Sequence, residues 1–523
     1  MVYADLHVHT DYSDGIHSIE ETLNFALEQG IKTIAITDHD TVFHLEKVKM
    51  ECDKRKIHMI PGVELSCYDW DVCKKVHVVG LWIQDDPKHI EQLCNHTLAC
   101  RDAYHHELIE ELRNKGFDIT YSDAKKYAKN NIVFKMHLFQ ALVEKYPELN
   151  DLNKYRALFA SKTTLETDKK MGYIDIKEGI DAIHKDGGIA ILAHPCEYDN
   201  YDEIDKYVGY GIDGIEISHP SMKAEDYPKV HEYVNKYNLM CSGGSDFHNI
   251  HLTSIGGFGL SQNEFDELVK RRLKTKIRNF RDIKGYKTCD GLEMKSNKIF
   301  RGGPLIDLSS EDLKCLSQEL NIKHVLDFRD KKEALNEPDS LAVDMSYYNI
   351  SAIQMDLDNG YSFDFGSVIK DKMTRENKNF IIDYLKKGYS IMPINNPAYK
   401  QMFNLLLENS GNIYFHCTAG KDRTGVAGFL IMMALGCKKE DAIKEYLSSN
   451  IDLKQINEEL FEHLHIPLEL RKECDALLYV REEFIQLSID TIEQTYSSYK
   501  DFFEEEYGLT EEKISKLKQM YCS

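Results

Sequence analysis

The sequence predicts an α/β protein with two domains in tandem, a β/α barrel followed by an α/β fold built around a cysteine loop. Three observations predict it. Short β-rich runs alternate with amphipathic stretches through the first half, and several of those runs end in a histidine or a carboxylate. Histidine is uneven, with 18 of 22 before residue 260 and only His324, His416, His463 and His465 after it. In the second half a strand, "NIYFHC", turns through "TAGKD" into an apolar helix, "RTGVAGFLIMMALG". A chain of 523 residues also exceeds one ordinary core, since ~150 residues per domain is usual.

The elements follow in order. "SIEETLNFALEQG" has Ser18 as N-cap, Glu21 three residues on, an apolar stripe, and Gly30 as its stop. The runs "IKTIAITDHD", "IHMIPGVEL", "VHVVGLWI", "GGIAILAHP", "GIDGIEISHP" and "LMCSGGSDFH" are predicted strands. A barrel gathers its reactive side chains at the ends of such strands. The basic, apolar-poor stretch from Val269 to Gly291 marks the domain boundary. We expect a first domain over residues 1–275 with an insertion near 95–170, a linker over 276–289, and a second domain over 290–523. The second contains "IFRGGPLIDLSSEDLKCL" and the strand "IKHVLDFR", and its tail from Glu482 to Tyr521 reads as acidic amphipathic helices packed on that domain.

Composition narrows the function. Hydrophobic residues at 42% and charged residues at 29% are globular values. No apolar run is long enough to span a bilayer and the N-terminus has no export signal, so a soluble, cytoplasmic protein without membrane insertion is expected. The 13 cysteines are scattered without a C-x-x-C pair, which predicts reduced thiols. A net charge of -22 opposes broad adhesion to a nucleic-acid duplex, while leaving small anionic substrates open where metals or a local arginine reverse the field.

His7 and His9 flank one residue, so on a strand both point to the same face and can share a metal. Asp14, His39, Glu64, His77, His194, Asp246 and His248 follow, most of them at the ends of β-rich runs. Mixed imidazole and carboxylate ligands suit Zn, Mn or Fe, and nine candidates are too many for one tetrahedral ion. His17, His44, His58, His89, His96, His105, His106 and His184 lack such framing and are read as surface residues.

From "DLHVHTDYSDG" to "GSDFH" the chain resembles the PHP (polymerase and histidinol phosphatase) domain, and "KMHLFQALVE" and "GIAILAHPCEY" resemble its nucleotide phosphoesterase branch. The resemblance implies a distorted (β/α)7 barrel holding two to three divalent ions. His7, His9, Glu64 and Asp246 would hold one, Asp14, His39 and His248 a second, and Glu64, His77 and His194 a third. It also implies substrate contacts from Lys135 and His137, with His137 assisting the leaving group. Two positions depart from the branch: Lys135, Met136 and His137 replace Arg-Pro-His, and Glu197 stands where an arginine is usual.

In the second half, a loop of amides at a helix N-terminus favours a bound phosphate and a thiolate at Cys417. Arg423, six residues on, can return to grip two phosphate oxygens, and the Thr424 hydroxyl can stabilise the departing thiolate. "HCTAGKDRTG", with "FRGGPL" and "VLDFRD" upstream, resembles the bacterial branch of the protein tyrosine phosphatase superfamily that includes enzymes active on lipid phosphates. That resemblance implies a metal-free cysteine mechanism with Asp327 as general acid, Asp330 and Asp422 as competitors, and Gly420, Lys421 and Asp422 as phosphate contacts, Lys421 adding positive charge at the rim. The expectation is a bifunctional phosphatase: metal-assisted hydrolysis of a nucleotide or other small phosphorylated metabolite, and cysteine-dependent hydrolysis of phosphotyrosine, an inositol phosphate or a phosphoinositide-like ester. The alternatives are one domain acting as a phosphate sensor or scaffold, or a first domain acting as an exonuclease on short oligonucleotides.

Overall fold

The computed structural model describes residues 1–129, 132–159, 165–249, 252–353, 375–463, 471 and 478–523. It divides into two compact units, Met1–Leu268 and Val269–Ser523.

In the first unit, β1 (Ala4–Val8), β2 (Thr33–Ile36) and β3 (His58–Met59) form one parallel sheet. A second sheet runs in the order β6 (Ile174–Asp175), β4 (Gly62–Asp69), β5 (Lys74–Leu81), β7 (Ile189–Leu192), β8 (Gly214–Ser218), β9 (Met240–Gly243). The two join at both ends. His39 bridges Glu64 beyond β2, and the chain beyond β9 returns to β1, where Phe247 bridges Val8 and accepts from His9 N at 2.9 Å. β1, β2, β4, β5, β7, β8 and β9 therefore close a seven-membered ring. β5 runs antiparallel to both neighbours, which is the distortion from an all-parallel barrel.

Ile19–Glu28 is the helix expected after Ser18, with the reciprocal Ser18 and Glu21 capping box formed and Gly30 at φ +77° behind it. The insertion is helical, opening with Lys88–Asn114 and continuing through Lys135–Lys145, and it has its own core of Leu108, Leu112, Val133, Leu138 and Leu142.

The second unit has a five-stranded sheet in the order β10 (Arg281–Asp282), β11 (Ile299–Gly302), β14 (Asn412–His416), β12 (Ile322–Asp327), β13 (Ser346–Asn349). All pairings are parallel except β10 with β11. β14 lies at its centre and leads through the cysteine loop into helix Asp422–Ala434. The stretch read as a linker carries β10, because Phe280 and Ile283 are buried and anchor it despite the surrounding charge. The tail forms helices Glu482–Thr495, Tyr499–Tyr507 and Glu511–Tyr521, which bury Phe484, Ile489, Phe502 and Leu517 in the core that also holds Cys417. No helix among the described residues is long and apolar enough to cross a membrane.

Candidate active sites: a histidine cluster and a cysteine loop

All seven strands of the ring feed one cluster in the first unit. Glu64, on β4, lies at its centre and is 0% exposed. Its Oε2 lies 3.1 Å from His7 Nε2, 3.1 Å from His9 Nε2 and 3.2 Å from His39 Nδ1. Its Oε1 lies 2.9 Å from His77 Nδ1 and 3.0 Å from His194 Nε2. Asp246 Oδ1 approaches His9 Nε2 at 3.2 Å, and Asp14 Oδ1 approaches His248 Nε2 at 3.1 Å. The nine sequence-predicted ligands are thus brought together.

Donor atoms of this cluster sort into groups that can hold metal ions: His7, His9, Glu64 and Asp246; His9, Asp14, His39 and His248; His39, Glu64 and His77; and His7, His194 and His219. The resident group fits. His7 Nε2, His9 Nε2, Glu64 Oε2, Asp14 Oδ1, His194 Nδ1 and His219 Nε2 are buried without an aligned hydrogen-bond partner. Atoms that close to one another yet misaligned converge on shared points in space, as ligands around cations do.

Electrostatics agree. Burial alone raises Glu64, but His39, His7 and His77 outweigh it and hold the carboxyl well below its ordinary range. Two of the ligands also have positive φ, His194 at +24° and Asp246 at +47°, outside the comfortable range for side-chain-bearing residues. Gly244 lets the chain after β9 approach β1, since a Cβ there would stand 2.4 Å from His7 N.

His137 and Lys135 open helix Lys135–Lys145. His137 Nδ1 accepts from Phe134 N at 3.1 Å, and the ring is fully buried. Burial pushes it down to about 4, partly opposed by Asp14. Lys135 is pushed down to about 8 by burial, then by Lys75 and Arg101, an electropositive corner suited to an anion. Glu197 faces His194 Nδ1 at 3.8 Å and is 43% exposed.

Sequence reasoning missed three residues here. His219 directly follows β8, with Nε2 3.3 Å from Asp246 Oδ2; the "HP" it shares with His194-Pro195 was the available signal. Glu216 accepts from His7 Nδ1 at 2.9 Å and from His194 N at 2.8 Å. Arg101 donates to Asp40 Oδ2 at 2.7 Å. Two histidines read as surface residues are buried. His44 Nε2 pairs at 2.8 Å with Asp38, the carboxylate that orders the Thr10–Ser13 turn, and His105 Nδ1 donates to Val133 O.

In the second unit Cys417 sits directly after β14 and is 2% exposed. Gly420 has φ +64°, and a Cβ there would stand 2.3 Å from Gly302 O, so the loop needs glycine. The loop is propped from behind. Gly420 O accepts from Asn279 Nδ2 at 2.7 Å and from Arg301 Nη2 at 2.9 Å, and Arg301 Nη1 pairs with buried Glu445 at 2.6 Å. Thr424 Oγ1 is buried with no partner, free to donate to sulfur. Arg423 is held by Glu333, Nη1 to Oε2 at 2.6 Å and Nη2 to Oε1 at 2.9 Å.

The candidate acids separate. Asp327 is 0% exposed, and both its oxygens are taken, by Arg329 Nε and Nη2 and by Tyr347 OH at 2.6 Å, so it has no access to a leaving group. Asp330 caps helix Lys331–Asn336, accepting from Lys332 N and Glu333 N. Asp422 is half-buried at the loop, holding Tyr389 OH at 2.7 Å and Lys421 Nζ at 2.8 Å. Lys421, expected at the rim, is 3% exposed and tied to Asp422.

The family model of the PHP domain matches residues 5–238, and that of the tyrosine phosphatase family matches 274–523. The phosphoribosyl 1,2-cyclic phosphate 1,2-diphosphodiesterase of Eggerthella lenta is 33% identical over 246 residues, 47% of this chain and 93% of that protein. The 5'-3' exoribonuclease of Haemophilus influenzae is 28% identical over 249 residues, 47% of this chain and 89% of that protein. The triple specificity protein phosphatase of Mycobacterium tuberculosis is 24% identical over 275 residues, 46% of this chain and 95% of that protein. With both geometries in place, the chain belongs to the PHP domain family in its first half and to the tyrosine phosphatase family in its second, a bifunctional hydrolase of phosphoric esters.

Proposed function

We propose that the first unit hydrolyses an ester of a small phosphorylated metabolite, with Mn, Fe or Zn held by His7, His9, Asp14, His39, Glu64, His77, His194, Asp246 and His248. The observation that carries this reading is the set of buried histidine and carboxylate atoms that converge around Glu64 within metal-ligand reach of one another. When bound, such ions supply Lewis acidity and an activated water. The chain's own residues do the rest. Lys135 offers a cationic contact to a phosphate oxygen, and His137 presents Nε2 toward the leaving oxygen. Glu216 fixes the His7 ring through Nδ1, which keeps Nε2 aimed into the cluster. Glu197 disfavours a second phosphate beside His194. The names of the relatives support a cyclic or nucleotide phosphate, and the exoribonuclease keeps short RNA among the substrates to test.

In the second unit, Cys417 Sγ attacks phosphorus, forming the S–P bond as the P–O bond to the leaving group breaks. Asp422 protonates the leaving oxygen, Arg423 and the loop amides hold the phosphoryl oxygens, and Thr424 donates to the sulfur when water later cleaves the S–P bond. Support for Asp422 comes from its place in the loop itself, where it is partly exposed while Asp327 is fully buried and Asp330 caps a helix. Cysteines free of disulfides among the described residues fit a reducing, cytoplasmic setting.

The test is phosphate release from nucleotides, cyclic phosphates, inositol phosphates, a phosphotyrosine peptide and a short RNA. Wild type, Cys417→Ser and His9→Ala are compared with and without Mn. Each variant losing a different subset supports two independent sites; Cys417→Ser retaining every activity overturns the cysteine mechanism.

A further inference from the structure

Asp422, the first residue of helix Asp422–Ala434, is reached by a chain of two buried phenols. Tyr389 comes from helix Arg375–Ile391 and Tyr446 from helix Lys439–Leu447. Tyr389 OH donates to Asp422 Oδ1 at 2.7 Å, and its oxygen lies 2.8 Å from Tyr446 OH. A phenol has one proton, so with that of Tyr389 given to Asp422 the bond between the two tyrosines runs from Tyr446 to Tyr389. Each donation strengthens the next.

The phenols are held in place by their surroundings. The Tyr389 ring stacks on Phe484 of helix Glu482–Thr495, with centroids 5.5 Å apart, and meets the Tyr446 ring edge to face at 6.3 Å. Its carbonyl accepts from Ser488 Oγ at 2.6 Å. Burial, then the charge of Asp422, holds the Tyr389 phenol well above its ordinary pKa, so it stays a donor and gives no proton to substrate itself.

A buried tyrosine pair can serve folding alone, with Asp422 merely satisfying its hydroxyl. It can also serve chemistry, by deciding which Asp422 oxygen carries a proton. The bonds at Asp422 favour chemistry. Oδ1 accepts from Tyr389 OH and from Lys421 Nζ at 3.1 Å, while Oδ2 lies 2.8 Å from the same Nζ. An oxygen with two donors aimed at it is the poorer place for a further proton, so the acid form of Asp422 carries its proton on Oδ2. Lys421 does not fix this by itself, because an ammonium on a flexible stem acts as a point charge, whereas the phenol is directional.

We propose that Tyr389 is a positioning residue for Asp422: its phenol, oriented by Tyr446, holds Oδ1 so that Oδ2 carries the proton delivered to the leaving oxygen. This deepens the reading of Asp422 as general acid of the second unit and rests on it. In the first step the S–P bond forms, the P–O bond to the leaving group breaks, and the leaving oxygen takes the Oδ2 proton. In the second, water forms the new O–P bond as S–P breaks, and its proton returns to Oδ2. Tyr389 keeps its own proton throughout.

The test uses the full chain in a His9→Ala background, so that the metal cluster does not contribute, with Cys417→Ser as the blank. Two substrates are compared: phenyl phosphate, whose leaving oxygen needs a proton, and nitrophenyl phosphate, whose leaving oxygen does not. Tyr389→Phe is expected to lower kcat about tenfold with phenyl phosphate and less than about twofold with nitrophenyl phosphate, with little change in either KM. Tungstate affinity, measured by calorimetry in the Cys417→Ser protein, should stay within about twofold, and Tyr389→Phe should cost nothing further once Asp422→Asn is present. Equal loss on both substrates, weakened tungstate binding, or a full additional loss in Asp422→Asn makes Tyr389 a structural residue and overturns the proposal. A loss selective for phenyl phosphate in Asp422→Asn but absent in Tyr389→Phe overturns the proposal alone. Asp422→Asn treating both substrates alike removes the general-acid reading, and the proposal falls with it. If Tyr389→Phe does not fold, Tyr446→Phe carries the same comparison with an expected selective loss of about threefold, since it removes the donor to Tyr389.

Discussion

Arg301 Nη2 donates to the carbonyl oxygen of Gly420 over 2.9 Å, tying a fully buried arginine on β11 to the tightest point of the cysteine loop. The same guanidinium pairs with Glu445, which also binds Arg281. Arg301→Met therefore strands a buried carboxylate on one remaining partner and frees the loop. We expect a loss of ~3 kcal/mol in denaturant unfolding of the second unit, loss of cysteine-dependent turnover, and unchanged metal-dependent turnover.

Glu64 turns its two oxygens to different histidine sets, Oε2 to His7, His9 and His39 and Oε1 to His77 and His194. Glu64→Ala is expected to cost at least two bound ions per chain by elemental mass spectrometry, and His77→Ala one. Chelator dialysis should remove the first activity and spare the second.

Asp327 and Asp422 are expected to respond in different ways to loss of charge. Asp327→Asn breaks the buried pairing with Arg329, and its cost of ~3 kcal/mol should appear in thermal unfolding. Asp422→Asn removes the charge facing Lys421 but keeps an acceptor for Tyr389, and should lower the melting temperature less than Asp327→Asn. It should lower kcat by ~100-fold for leaving groups that need a proton, and much less for a nitrophenolate.

Acid should loosen the clamp on Arg423. Burial raises Glu333, but the Arg423 charge and hydrogen bonds outweigh it and take its pKa from an ordinary 4.5 down to about 2. Because the folded value is the lower one, this contribution is complete above about 4.5 and is lost as pH falls toward about 2. Its size is ~3 kcal/mol. Urea unfolding of the second unit between pH 6 and pH 3 should show the decline, and Glu333→Gln should flatten it.

Much of this was legible because periodicity and chemistry coincide. The Ser18 capping box, the ring strands and the helix after Cys417 all announce themselves locally. So do ligands at strand ends, where a histidine interrupts an apolar run. What escaped depends on tertiary partners. His44 and His105 look like surface residues in sequence, yet one pairs with Asp38 and the other reaches Val133 O across the insertion. Asp327 has the sequence position of an acid but the surroundings of a structural residue, because Arg329 two residues on folds back onto it and Tyr347 comes from the neighbouring strand. β10 was hidden because two buried apolar residues suffice to anchor a short edge strand within a basic stretch.

The closure of the ring through Phe247 onto Val8 sets an order of assembly during synthesis. His7 and His9 leave the ribosome early, whereas Asp246 and His248, which complete their groups, follow more than two hundred residues later. At ordinary translation speeds the nascent chain carries those imidazoles uncovered for roughly ten seconds to a minute. Throughout that interval they are open ligands for whatever divalent metal the cell leaves unbuffered. Loading the correct ions is thus a matter of timing as well as affinity, decided when the last strand arrives.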